Sequence, residues 1–202
     1  GPELAWFASG QRCCVGQNHS GKRVGSWQWF YESGSPDHSY VYDDQGRKHG
    51  PHIWDLPSGD KRARGQFVED KFHGHWSWWH EKDPFHIKRG YHHGLQHGKE
   101  EGFFADGAPA YRRAWRYGQK DGLEEVFQRK DSEVVLCFRG EWRCGFPIGA
   151  HESWDAAGQK TVTHHESGLP ELVVTANLGD KVAKLLKKAT SSYAKVDAIG
   201  ED

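Results

Sequence analysis

The chain has 202 residues, and 27 Lys and Arg against 28 Asp and Glu leave a formal charge of −1. That balance excludes a protein built mainly to grip nucleic acid, whose phosphates call for a basic surplus. Ten Trp with almost no net charge argue against disorder, despite a mean hydropathy of −0.87. The longest uncharged apolar run, Val134 to Phe138, is far too short for a transmembrane helix.

The first two residues, Gly1-Pro2, read as what a protease leaves at a tag junction, so the fold is read from residue 3. Cys13 and Cys14 are adjacent, and Cys137 and Cys144 are seven apart without a zinc-type C-x2-C pair. They are read as free thiols, with a disulfide across a hairpin as the alternative.

From residue 3 to 168 the chain repeats itself. Glycines 25, 50, 74, 98, 122 and 149 stand 24 to 27 residues apart, each ahead of an aromatic or acidic cluster. Four residues before them come Gly21, Gly46, Asp70, Gly94, Gly118 and Gly145. Nine residues after them come Gly34, Gly59, Asp83, Gly107, Asp131 and Gly158. A second aromatic column, Tyr42, Phe67, Tyr91, Trp115 and Trp142, keeps the same spacing, and Gly10 marks a truncated leading unit.

Each period holds two stretches of strand length between turn-formers, and the segment from Gly74 to Trp78 alternates with period two. One repeat is therefore a hairpin. About six of them predict a mainly β fold, an elongated single-layer antiparallel sheet, with the glycines at −4 and 0 supplying positive-φ turns. A layer with no second sheet beneath it must bury itself with ladders of rings, because Leu, Ile and Val together number only 26 against 27 Phe, Trp and Tyr.

The segment Gly21-Lys22-Arg23-Val24-Gly25-Ser26-Trp27-Gln28-Trp29-Phe30-Tyr31-Glu32-Ser33-Gly34 resembles the bacterial variant of the MORN repeat, G-K-x-x-G-x-W-x-W-[FY]-x-x-x-G. Gly46 to Trp54 and Lys71 to Trp79 are similar. Units four to six keep the glycines but carry Glu100, Glu124 and His151 at the first aromatic place. The resemblance spans residues 4 to about 160 and implies a curved ribbon. It also implies an immunity protein or antitoxin that occludes a bacterial toxin domain, or alternatively a membrane-associated scaffold. The expected location is cytoplasmic, with a periplasmic or lipid-anchored one as the alternative.

After Gly168 the composition changes. Leu178, Val182, Leu185, Leu186, Ala189, Tyr193 and Val196 form a stripe at helical spacing, so residues 169–202 are expected to be a C-terminal helical cap and tail. Its lysines 181, 184, 187 and 188 keep a membrane-surface helix open as the lesser option.

Among candidate sites, His49, His73 and His97 each precede an anchor glycine. Repeats stand about 9–10 Å apart in such a sheet, so a turn consensus explains this row better than a metal site. His92-His93 with His97, and His164-His165, stay open as adventitious ligands. Glu100-Glu101, Glu124-Glu125 and Glu152 interleave with Arg112, Arg113, Arg116, Arg139 and Arg143, which favours cross-strand ion pairs over acid–base catalysis. With no catalytic motif and no cofactor signature, the expectation is a non-enzymatic protein-binding surface. It is built from Trp54, Trp76, Trp78 and Trp79 with Glu100, Glu124, Arg112 and Arg116, since a single ribbon cannot cover both faces and exposed Trp and Arg dominate interface energetics.

Overall fold

Two kinds of tight turn join the strands and generate the architecture, and the Asp43–Arg47 loop repeats the bonding of the Tyr31–Ser35 loop before it. The structure is a computed structural model and describes residues 1–80 and 86–165. Its strands are β1 (Pro2–Trp6), β2 (Arg12–His19), β3 (Lys22–Phe30), β4 (Pro36–Tyr42), β5 (Gly50–Asp55), β6 (Lys61–Val68), β7 (Lys71–Trp79) and β8 (His86–His92). They continue as β9 (Leu95–Phe103), β10 (Pro109–Arg116), the two-residue β11 (Gln119–Lys120), β12 (Gly122–Lys130), β13 (Glu133–Arg143), β14 (Phe146–Trp154) and β15 (Lys160–His165). All belong to one antiparallel sheet in chain order, with β11 paired to β10 beside the main path. The mainly β single sheet of tandem hairpins is thus as the repeats require. The helical cap expected over 169–202 lies outside the described residues. Pro2, set aside in the sequence reading, is part of β1 and pairs with Gln17.

Along one edge, five two-residue loops have positive φ at both central positions: Ser20-Gly21, Glu69-Asp70, His93-Gly94, Tyr117-Gly118 and Cys144-Gly145. That is the type I′ turn, whose twist matches that of the strands it joins. Asp70, the one exception to glycine in its column, adopts φ 66°. Along the other edge, the N–H groups of Gly10, Gly34, Gly59, Gly107 and Gly158 donate to the carbonyls three residues back at 2.8–2.9 Å. Successive tips along the I′ edge are also tied together. The amides of Asp70, Gly94, Gly118 and Gly145 donate to the carbonyls of Lys48, Phe72, Gln96 and Lys120 in the preceding repeat.

Strand register explains the two sequence columns. Gly25 faces Tyr42, Gly50 faces Phe67, Gly74 faces Tyr91, Gly98 faces Trp115 and Gly122 faces Trp142. Two residues beyond each anchor glycine come Trp27, His52, Trp76, Glu100, Glu124 and His151, and all six are buried, from 1% exposed for Trp27 and Glu100 to 8% for His151. They form the axis of the core. Rings flank it at the next inward position, with Trp27 on Trp29 at 5.5 Å and Trp76 on Trp78 at 5.4 Å. All four cysteines are free thiols.

Candidate binding surfaces

Five of the six axis residues follow one of two arrangements. In the first, a ring lies over a glycine of the preceding strand and donates to the next carbonyl. Trp27 covers Gly16 and donates from Nε1 to the Gln17 carbonyl at 3.0 Å; Trp76 covers Gly65 and donates to the Gln66 carbonyl at 3.0 Å. His151 over Gly140 repeats the arrangement, with its Nε2 2.8 Å from the Glu141 carbonyl. His52 instead stacks on Tyr40 at 4.4 Å, with its Nδ1 2.9 Å from the Ser39 carbonyl. Burial pushes the His52 imidazole down to about 4, so it is neutral at neutral pH.

In the second arrangement, arginine replaces the glycine and glutamate replaces the ring. Arg89 Nη2 lies 2.7 Å from Glu100 Oε1, and Arg113 Nε lies 2.6 Å from Glu124 Oε1. The remaining acceptor capacity is used as well. Gln96 Nε2 and the Tyr111 hydroxyl donate to Glu100 at 3.1 and 3.2 Å, and Lys120 Nζ lies 2.7 Å from Glu124 Oε2. Burial, then the Glu100 charge, raises the Tyr111 hydroxyl above its usual value. A buried carboxylate with this many partners is a satisfied structural group.

These facts correct part of the expected surface. Trp76, Glu100 and Glu124 are interior and do not face a partner, because they occupy the one row that a single sheet can seal. Cross-strand Glu–Arg pairing is present, although Glu100 takes Arg89 as its ion-pair partner, a residue outside the arginine set read from the sequence.

The other expected residues separate into two places. Trp54, Trp78 and Trp79 come together with Arg62, His80, Ile87 and Arg89 around one open cleft of about 270 Å³. Trp54 is 40% exposed, and the Arg62 guanidinium stands 5.6 Å from its ring centre. Trp79 also stacks on His86 at 4.7 Å. Arg112 and Arg116 lie on β10, away from this cleft. Arg112 covers the Phe127 ring at 5.6 Å and approaches Glu125 to 3.7 Å.

On the opposite face, the register builds a row that the sequence reading missed. It runs Val15, Gln28, Ser39, Ile53, Arg64, Ser77 and Lys88. It then alternates in sign through Glu101, Arg112, Glu125, Arg139 and Glu152. Its N-terminal end is a groove of about 380 Å³ whose lining, Val15, Ser26, Gln28, Ser39, Val41, Pro51 and Ile53 with Trp27 and Tyr40, carries no charge. Positions +1 and +3 after each anchor glycine carried this signal, once read across repeats.

The histidines depart from the expected row too. His73 and His97 each pack against His92, at 5.4 and 5.8 Å, and His93 lies 5.3 Å from His73. Burial, then the charges of His93, His73 and His97, lowers the His92 pKa below its ordinary value. No protein-family model and no curated protein matches the chain.

Proposed function

We propose that this chain is a non-catalytic protein-interaction repeat protein that binds its partner through the cleft around Trp54. The observation that carries the reading is the convergence of Trp54, Trp78 and Trp79 with Arg62 and Arg89 on one open cleft. Trp and Arg are enriched among residues that dominate protein–protein affinity, and rigid rings lose little entropy on binding. Arg89 is held by Glu100, so the Arg62 guanidinium beside the Trp54 indole suits a partner loop that presents an apolar side chain next to a carboxylate. The MORN resemblance supports a bacterial toxin domain as that partner and this chain as its immunity protein, acting by covering the toxin's active cleft.

The test is co-purification of the chain with the product of the neighbouring gene, followed by an affinity measurement with Trp54→Ala and Arg62→Ala. Trp54 is 40% exposed and Arg62 partly buried, so thermal melts of both variants verify that the fold survives. About tenfold or greater weakening by each is expected of interface anchors. Complex formation with unchanged affinity in both variants overturns the cleft as the site, and no complex at all overturns the immunity reading.

A further inference from the structure

We propose that His73, His92 and His93 form a binding site for a borderline divalent metal ion, zinc above all, which cross-links the third and fourth repeats.

The ligand atoms of these three imidazoles lie within 4.8 Å of one another. For three points so spaced, an ion at their centre is at most about 2.8 Å from each nitrogen. Zinc–imidazole bonds are about 2.0–2.1 Å, so closure needs shifts of less than about 1 Å. The backbone already sets up this convergence. His73 precedes Gly74 on β7, Gly74 pairs with Tyr91 on β8, and one more step of that register sets His92 opposite His73. His93 follows as the first central residue of the I′ turn at φ 47°, and its ring stands 4.5 Å from that of His92.

A turn consensus does not account for the cluster. It explains a histidine before the anchor glycine in three consecutive units, but the places of His92 and His93 hold His19-Ser20, Val68-Glu69, Arg116-Tyr117 and Arg143-Cys144 in other units. Among these turn places, the double histidine stands at the one that meets His73. A second observation points to a ligand. His73 Nδ1 is buried with no hydrogen-bond partner, and the neighbouring His97 Nδ1 is in the same condition. Buried nitrogens left unpaired are costly, and a metal ion satisfies such an atom.

The donor set selects the ion. Three neutral nitrogens without a carboxylate suit zinc, copper or nickel and not magnesium or calcium. Three protein ligands leave one position of a tetrahedral ion for water. Binding fixes the β8–β9 turn onto β7 and adds a tie between repeats beyond the backbone bond from Gly94 to Phe72.

The experiment is calorimetric titration of zinc chloride into the chelator-stripped full chain, with thermal denaturation alongside. The variants are His73→Gln, His93→Asn and the comparator His164→Asn/His165→Asn. Asparagine tolerates the positive φ at position 93, so His93→Asn keeps the turn, and metal-free melting temperatures verify that each variant folds. One equivalent of zinc bound at micromolar or tighter Kd is expected, with a raised melting temperature. About tenfold or greater loss is expected in His73→Gln and His93→Asn, and none in the comparator. Absence of saturable binding overturns the proposal, as does binding that persists in the two site variants, which would place the ion elsewhere, such as at Cys13-Cys14.

Discussion

The indole of Trp76 lies flat against Gly65, so closely that a Cβ added at Gly65 would stand 2.1 Å from Trp76 Cδ2. Trp27 and Gly16 reproduce the contact with the same 2.1 Å separation two repeats earlier. The glycine is required here for space and not for its φ, which lies outside the left-handed region in both cases.

Gly65→Ala is therefore expected to destabilise by overpacking, on the order of 1–3 kcal/mol or more. Equilibrium urea denaturation measures it. Gly16→Ala should cost a similar amount, because the two sites share one geometry.

The repeat period, the hairpins and the positive-φ turns were legible because each rests on local chemistry. Glycine at −4 and 0 permits a backbone that other residues resist. The buried axis was only half legible. Trp27 and Trp76 announce themselves as rings, whereas His52, His151, Glu100 and Glu124 look like surface residues. What makes them core is the partner on the strand before, a Gly or an Arg, which a reading along one strand does not pair with them. The cleft at Trp54 was legible in its three tryptophans but not in Arg62. Likewise, the uncharged groove at Val15 and Ile53 emerges only when four strands, β2 to β5, are set in register.

His52 makes stability depend on acidity. Its folded-state pKa of about 4 lies below the ordinary 6.5, so the unfolded chain takes up the proton first. Stability is fully present above about pH 6.5, falls as pH drops through this window, and levels off below about 4. The full effect of this group is about 3 kcal/mol. Urea midpoints compared between wild type and His52→Phe across pH 4 to 7 isolate it, and the variant should lose part of the slope.

Glu69 sits at φ 51° in a type I′ turn, a position that asparagine or glycine occupies at lower cost. Its ion pair with Arg47 at 3.0 Å is half exposed and contributes little. Glu69→Asn should raise stability by about 0.5–1 kcal/mol, read as a higher urea midpoint with an unchanged slope.

The central claim is that the buried axis accepts either a ring over a glycine or a glutamate against an arginine, as interchangeable fillings of one repeat position. A double-mutant cycle on Arg89→Gly and Glu100→Trp, measured by equilibrium denaturation, tests it most directly. Each single change leaves a buried group without its counterpart and should cost about 3–5 kcal/mol. The double variant, which rebuilds in the fourth repeat the pairing seen at Gly65 and Trp76, should be more stable than either single variant, with a coupling of at least about 2 kcal/mol. Costs that simply add would contradict the account.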